Sequence, residues 1–147
     1  MKLILFFVIL LFTKCSGKTP TDLGIRENKL KDCPPTPNCV TSFAPQTDKE
    51  HYIEPITYTA PLFEEHSRLK KVILAQPRTK IVEEKPNYIR AEFTSLLWRF
   101  VDDVEFLFDE SLKLIHVRSA SRLGRSDLGV NRKRIETIRS ELQKARN

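Results

Sequence analysis

Three segments in which apolar and polar residues alternate with a period of two constrain this chain more than any other feature. From Tyr88 to about Ser95, Ile89, Ala91 and Phe93 fall on one side, with Arg90, Glu92 and Thr94 on the other. From Val101 to Phe108, Val104, Phe106 and Phe108 oppose Asp103, Glu105 and Leu107. From Leu114 to Ser119, Ile115 and Val117 oppose Leu114, His116 and Arg118. Successive side chains of a strand point to opposite faces, so each segment reads as a strand with one apolar face. That pattern belongs to an antiparallel sheet buried on one side. A shorter strand, Ile81-Val82-Glu83-Glu84, precedes them and ends at a Lys85-Pro86-Asn87 turn. Links this short predict a four-stranded meander.

Helical spacing flanks the strands. A helix is predicted to start at Thr59-Ala60-Pro61, where proline in the first turn loses no hydrogen bond. Leu62, Leu69, Val72 and Ile73 then recur on one face, and Pro77 stops it. A last helix is predicted over about Arg132 to Lys144, with Ile135, Ile138, Leu142 and Ala145 as its stripe. Asn131 is the expected N-cap, and Val130 and Ile135 the expected hydrophobic staple. One helix before and one after the meander predict an α+β, two-layer sandwich.

The other end of the chain speaks of destination. Lys2 precedes the apolar run Leu3 to Phe12, which is too short to span a bilayer but fits the core of a secretory leader. Cys15 follows at once, where a bacterial lipoprotein carries its lipidated cysteine; the rival is ordinary cleavage near Ser16-Gly17. The expected organisation is a leader over 1–14, a tether over 15–32 and one domain over 33–147. The net charge of +6 falls by two, to +4, if the chain is cut before Cys15, since Lys2 and Lys14 leave with the leader. A mildly basic exported domain suits anionic partners such as phosphates or membrane headgroups, and nucleic acid is not expected.

The three cysteines leave an even pair once Cys15 is set aside. Cys33 and Cys39 bracket Pro34-Pro35-Thr36-Pro37-Asn38, whose prolines exclude a helix and a central strand. A loop closed by a disulfide is expected, in an oxidising compartment. A zinc site would need partners that the neighbourhood does not offer, so no metal and no cofactor are expected.

Two clusters are candidates for function. The polar side of the sheet should gather Arg90, Glu92, Asp103, Glu105, His116 and Arg118. It is either a solvated face of ion pairs or a ligand floor rimmed by Leu96, Leu97, Trp98 and Phe100. The second cluster runs from Arg118, Ser119, Ser121 and Arg122 through Asp127 to Asn131, Arg132 and Arg134. Cations at a helix N-terminus oppose the helix dipole, and a rule broken there points to an anion site. The plainer alternative pairs the arginines with Asp102, Asp103 and Asp127. Ser119 or Ser121 with His116 and Asp103 supplies the residue types of a triad. His116 should face away from Ser119, however, and no nucleophile elbow is present.

Three blocks, Cys33 to Ser42, Phe100-Val101-Asp102-Asp103-Val104-Glu105-Phe106, and Arg118 through Ile135, together resemble the domain of unknown function numbered 1499. The resemblance spans roughly residues 30 to 145. It implies a relative of bacterial envelope and plant plastid proteins and brings no established activity. It also implies that the acidic block and the Arg-Ser block belong to one shared feature. The expected function is a membrane-tethered cell-envelope binding or accessory module with an anion site at the start of the last helix. An envelope enzyme built on Asp102, Asp103, Glu105 and Arg118 is the alternative, with no catalytic residue assigned.

Overall fold

The computed structural model describes residues 17–147; the leader and Cys15 lie outside the described residues. Helix α1 (Leu62–Leu74) precedes the strands β3 (Thr79–Lys85), β4 (Tyr88–Thr94), β5 (Val101–Asp109) and β6 (Leu114–Ser121), and helix α2 (Val130–Lys144) follows them. These four strands pair antiparallel in chain order, as the alternation predicts. Ile89, Ala91, Val104, Phe106, Ile115 and Val117 form the apolar face of the sheet. Leu69, Ile73, Ile135, Ile138 and Leu142 of the two helices pack onto it. The α+β sandwich is therefore the fold.

The sheet is wider than the alternation shows. Strands β1 (Cys39–Thr41) and β2 (Ile56–Thr57) both pair with β6, extending it to six strands. Three and two residues are too few to display a period, which is why neither was expected.

α2 begins two residues before its expected start. Leu128 and Gly129 both take positive φ (54° and 79°) and turn the chain into the helix at Val130. Asn131 is therefore inside the first turn and is not the N-cap. The Asp127 carboxylate does the capping from upstream, accepting the N–H groups of Gly129 (3.0 Å) and Asn131 (2.7 Å). Val130, expected to staple onto Ile135, is half exposed in the first turn while Ile135 is in the core.

The second face of the sheet is covered by chain. Residues 17–33, expected to form a tether up to residue 32, fold back as an arm across it. Arg26 and Lys29 exchange both backbone hydrogen bonds around Glu27 and Asn28, whose positive φ values (49° and 60°) make a tight hairpin turn. Leu30, with Ile25 and Phe43, packs on Tyr88 and Leu107 of this face. A Cys33–Cys39 disulfide fastens the arm to β1 at the sheet edge. The polar side of the sheet is thus neither solvated nor rimmed by the 96–100 segment. Leu96, Leu97 and Trp98 stand exposed at the tip of the β4–β5 connection.

Candidate functional site

Beneath the arm, three strands bring charge into register. Arg90, Glu105 and Arg118 lie opposite one another on β4, β5 and β6, and Glu92 faces Asp103 beside them. Opposite charges at facing positions attract, and here the attraction acts away from water: Asp103, Glu105 and Arg118 are all buried. Glu105 accepts three donors, the Tyr88 hydroxyl (2.8 Å), the Gly24 N–H of the arm (2.8 Å) and Arg118 Nη1 (3.3 Å). Burial and the Glu105 carboxylate hold the Tyr88 phenol protonated far above its ordinary range. Arg122 forks onto Asp103 through Nε (2.7 Å) and Nη2 (2.8 Å), and Nη2 also reaches Glu92. The hydrogen bond donated to Asp103, opposed by burial and aided by Glu92, raises the guanidinium pKa further.

Three donor atoms in this layer have no acceptor among the described residues: Arg90 Nε, Arg90 Nη1 and Arg118 Nε. Arg90 keeps carboxylates at ion-pair range, Glu83 at 3.4 Å and Asp103 at 3.6 Å. Arg118 opens on a cleft of about 490 Å³ between the arm and the sheet, whose lining includes Leu23, Lys31, Asp103, Ala120 and Arg122. Lys31 at its rim pairs with Asp22.

The seven residues expected to form one anion site are divided by the sheet. Arg118 and Arg122 lie on the arm side. Ser119, Ser121, Asn131 and Arg134 lie on the helix side, because neighbouring strand residues face opposite ways. There the buried Asn131 amide donates to Asn38 O and Ser121 Oγ, both at 3.0 Å, and its oxygen accepts from Ser119 Oγ (2.6 Å) and Arg134 Nη1 (2.6 Å). Arg134 also pairs with Asp102 and lies 4.8 Å over the Phe93 ring. Arg132 points elsewhere, to the carbonyls of Lys49 and Glu50. The N-terminus of α2 already holds an anion of the chain's own, Asp127.

The sheet likewise splits the acidic cluster. Asp103 and Glu105 serve the arm side, Asp102 the helix side and Asp127 the helix cap. Of the residues that supply the types of a triad, His116 is on the opposite face of β6 from both Ser119 and Ser121. His116 Nδ1 lies 3.2 Å from Ser42 Oγ, and its ring stacks on Phe43.

The family model described as a protein of unknown function, DUF1499, matches residues 29–142. The chain belongs to this family. The matched span takes in the disulfide loop, all six strands and most of α2, and with them the charged side chains of both networks, whereas Gly24 precedes it. No curated protein matches the chain. Two partners of Glu105, Tyr88 and Gly24, were not expected from the sequence. Tyr88 shares the parity of Arg90 and so was legible as part of the polar face, whereas nothing in the sequence marks Gly24 as a partner of Glu105.

Proposed function

We propose that this chain is a cell-envelope binding module, exported and held at a membrane by lipid on Cys15, with an accessory role. Its ligand carries a small anionic group and enters the cleft between the arm and the sheet. The observation that carries the reading is Arg118, a buried residue that lines this cleft, with Nη1 on Glu105 and Nε left without an acceptor. A buried donor without an acceptor is costly, and a charged one more so, which favours an incoming oxygen at that point. The site so proposed is on the arm side of the sheet, away from the start of α2.

Thermal-shift titration with inorganic phosphate and with glycerol phosphate tests the ligand class. Stabilisation that weakens with added salt, and that is lost in Arg118→Gln and reduced in the rim variant Lys31→Ala, is expected. Equal stabilisation of all three proteins refutes the cleft. Mass spectrometry of the membrane-extracted protein tests the tether: an acylated Cys15 supports it, and a free N-terminus near Gly17 leaves export and removes the lipid.

A further inference from the structure

One end of the molecule exposes apolar side chains in a built loop. Between β4 and β5, Ser95 and Phe100 close residues 95–100 by two hydrogen bonds, Ser95 N to Phe100 O (2.8 Å) and Phe100 N to Ser95 Oγ (2.9 Å). The loop so held presents Leu96, Leu97 and Trp98, which are 67, 79 and 72 % exposed. The segment after β6 reaches the same end, since Arg122 N donates to Val101 O, and it adds exposed Leu123 and Leu128. Val130 joins them, in a cleft it shares with Arg78, Ser95 and Lys133. An apolar surface of this kind on a domain marks an interaction site.

The charges around this surface have one sign to spare. Arg99, Arg125 and Lys133 have no carboxylate at ion-pair distance among the described residues, whereas the nearby Glu92, Asp102 and Asp127 are committed to Arg122, Arg134 and the N-terminus of α2. Leucine and tryptophan ringed by unspent cations match a surface with anionic headgroups over an acyl interior.

The path of the chain points the same way. Gly17 packs against Arg122 and Leu123: a Cβ built on it would lie 2.9 Å from Arg122 Cβ and 3.1 Å from Leu123 Cγ. Four residues separate Gly17 from the apolar run ending at Phe12, and one separates it from Cys15. At roughly 3.5 Å per residue, the two residue steps from Cys15 to Gly17 can span at most about 7 Å. Whichever of the two seeks the membrane, the chain enters the fold beside the exposed tip.

We propose that this end of the domain docks on an anionic lipid surface, with Leu96, Leu97 and Trp98 entering the boundary between headgroups and acyl chains. The proposal rests on the membrane-held reading above and adds an orientation to it. It supplies a second attachment beside the N-terminal one, and membrane anchoring commonly requires two.

Trp98 is the only tryptophan, so the full-length chain carries its own reporter. The experiment incorporates that chain into phosphatidylcholine vesicles containing phosphatidylglycerol and brominated acyl chains, and reads sedimentation and Trp98 fluorescence together. A blue-shifted, quenched Trp98 is expected, with loss of most of the quenching in Leu96→Ser/Leu97→Ser and in Arg99→Glu/Arg125→Glu. A chain that sediments with the vesicles while Trp98 stays unquenched overturns the docking and leaves the tether standing. A chain that stays in the supernatant overturns both. A blue shift without vesicles that grows with protein concentration assigns the surface to a second copy of the chain and also overturns the proposal.

Discussion

The Tyr88 hydroxyl donates to the Glu105 carboxylate at 2.8 Å, and both side chains are fully buried. Glu105 joins β5 to β4 through Tyr88, to β6 through Arg118 and to the arm through Gly24, so one carboxylate ties three strands and the arm together. Removing it strands charge. Glu105→Ala leaves the buried Arg118 without its carboxylate, and is expected to cost about 3–5 kcal/mol. Tyr88→Phe removes one of three donors and is expected to cost about 1–3 kcal/mol. Urea denaturation of the two variants against the parent measures both. A loss for Glu105→Ala no larger than that for Tyr88→Phe would show that Arg118 finds other compensation.

What the sequence displayed, and what it hid, follow from how locally each feature is encoded. Strands β4, β5 and β6 were legible because each alternates apolar residues that face the helices with polar ones, and their register set Arg90, Glu105 and Arg118 side by side as the parity implied. The burial of those charges was hidden, because the arm that covers them is irregular chain, held by Leu30, the Gly24–Glu105 bond, a tight turn at Glu27-Asn28 and the disulfide, none of which repeats with a period. Glu65 of α1 was hidden for a related reason: a carboxylate on the core side of a helix reads as a surface residue until Arg146, beyond the end of α2, is seen to fold back onto it.

Asp127, rather than Asn131, caps α2, and the two residues should separate in mutagenesis. Asp127→Ala removes an acceptor for two N–H groups at an exposed helix start and is expected to cost about 0.5–2 kcal/mol. Asn131→Ala opens the buried junction of β1, β6 and α2, leaving Asn38 O, Ser119, Ser121 and Arg134 short of a partner, and is expected to cost more. Thermal unfolding ranks the two. Amide exchange should show Asp127→Ala loosening only the first turn of α2, whereas Asn131→Ala should also loosen β1.

Two histidines give the stability opposite slopes with pH. The Asp48 carboxylate, 2.8 Å from His51 Nδ1, raises the His51 pKa against the pull of burial, and Thr36 O at 3.3 Å favours a proton on Nε2 as well. His51 therefore adds stability that is complete below its unfolded value near 6.5 and is lost as pH rises through its higher folded value. Burial lowers the pKa of His116, so stability falls as pH drops from about 6.5 toward its folded value, because the unfolded chain takes up a proton that the folded chain resists. His51→Gln should thus lose more stability at roughly pH 5.5 than at pH 8, while His116→Gln should compare better with the parent at the lower pH. Melting temperatures at both pH values, with proton NMR titration of the two rings, check the signs.

The Cys33–Cys39 bond fastens the arm to the sheet across a separation of six residues. Cys39 is buried in β1 opposite Ala120, whereas Cys33 is on the arm. A loop that short restricts the unfolded chain modestly, worth about 2 kcal/mol in the loop-closure model. Pro34, Pro35 and Pro37 already stiffen the same stretch when unfolded, which lowers the gain further. The paired variant Cys33→Ser/Cys39→Ala, with alanine chosen so that no hydroxyl is buried in β1, is therefore expected to fold with a lower melting temperature. Its loss should be concentrated in the arm: limited proteolysis should cut between residues 17 and 33 before it reaches the strands, and the Tyr88–Glu105–Arg118 layer beneath should become accessible to solvent exchange. A variant that fails to fold would show the bond to be a staple of the sheet itself. A variant with unchanged arm protection would show that Leu30 and the Gly24–Glu105 bond suffice to hold the arm in place.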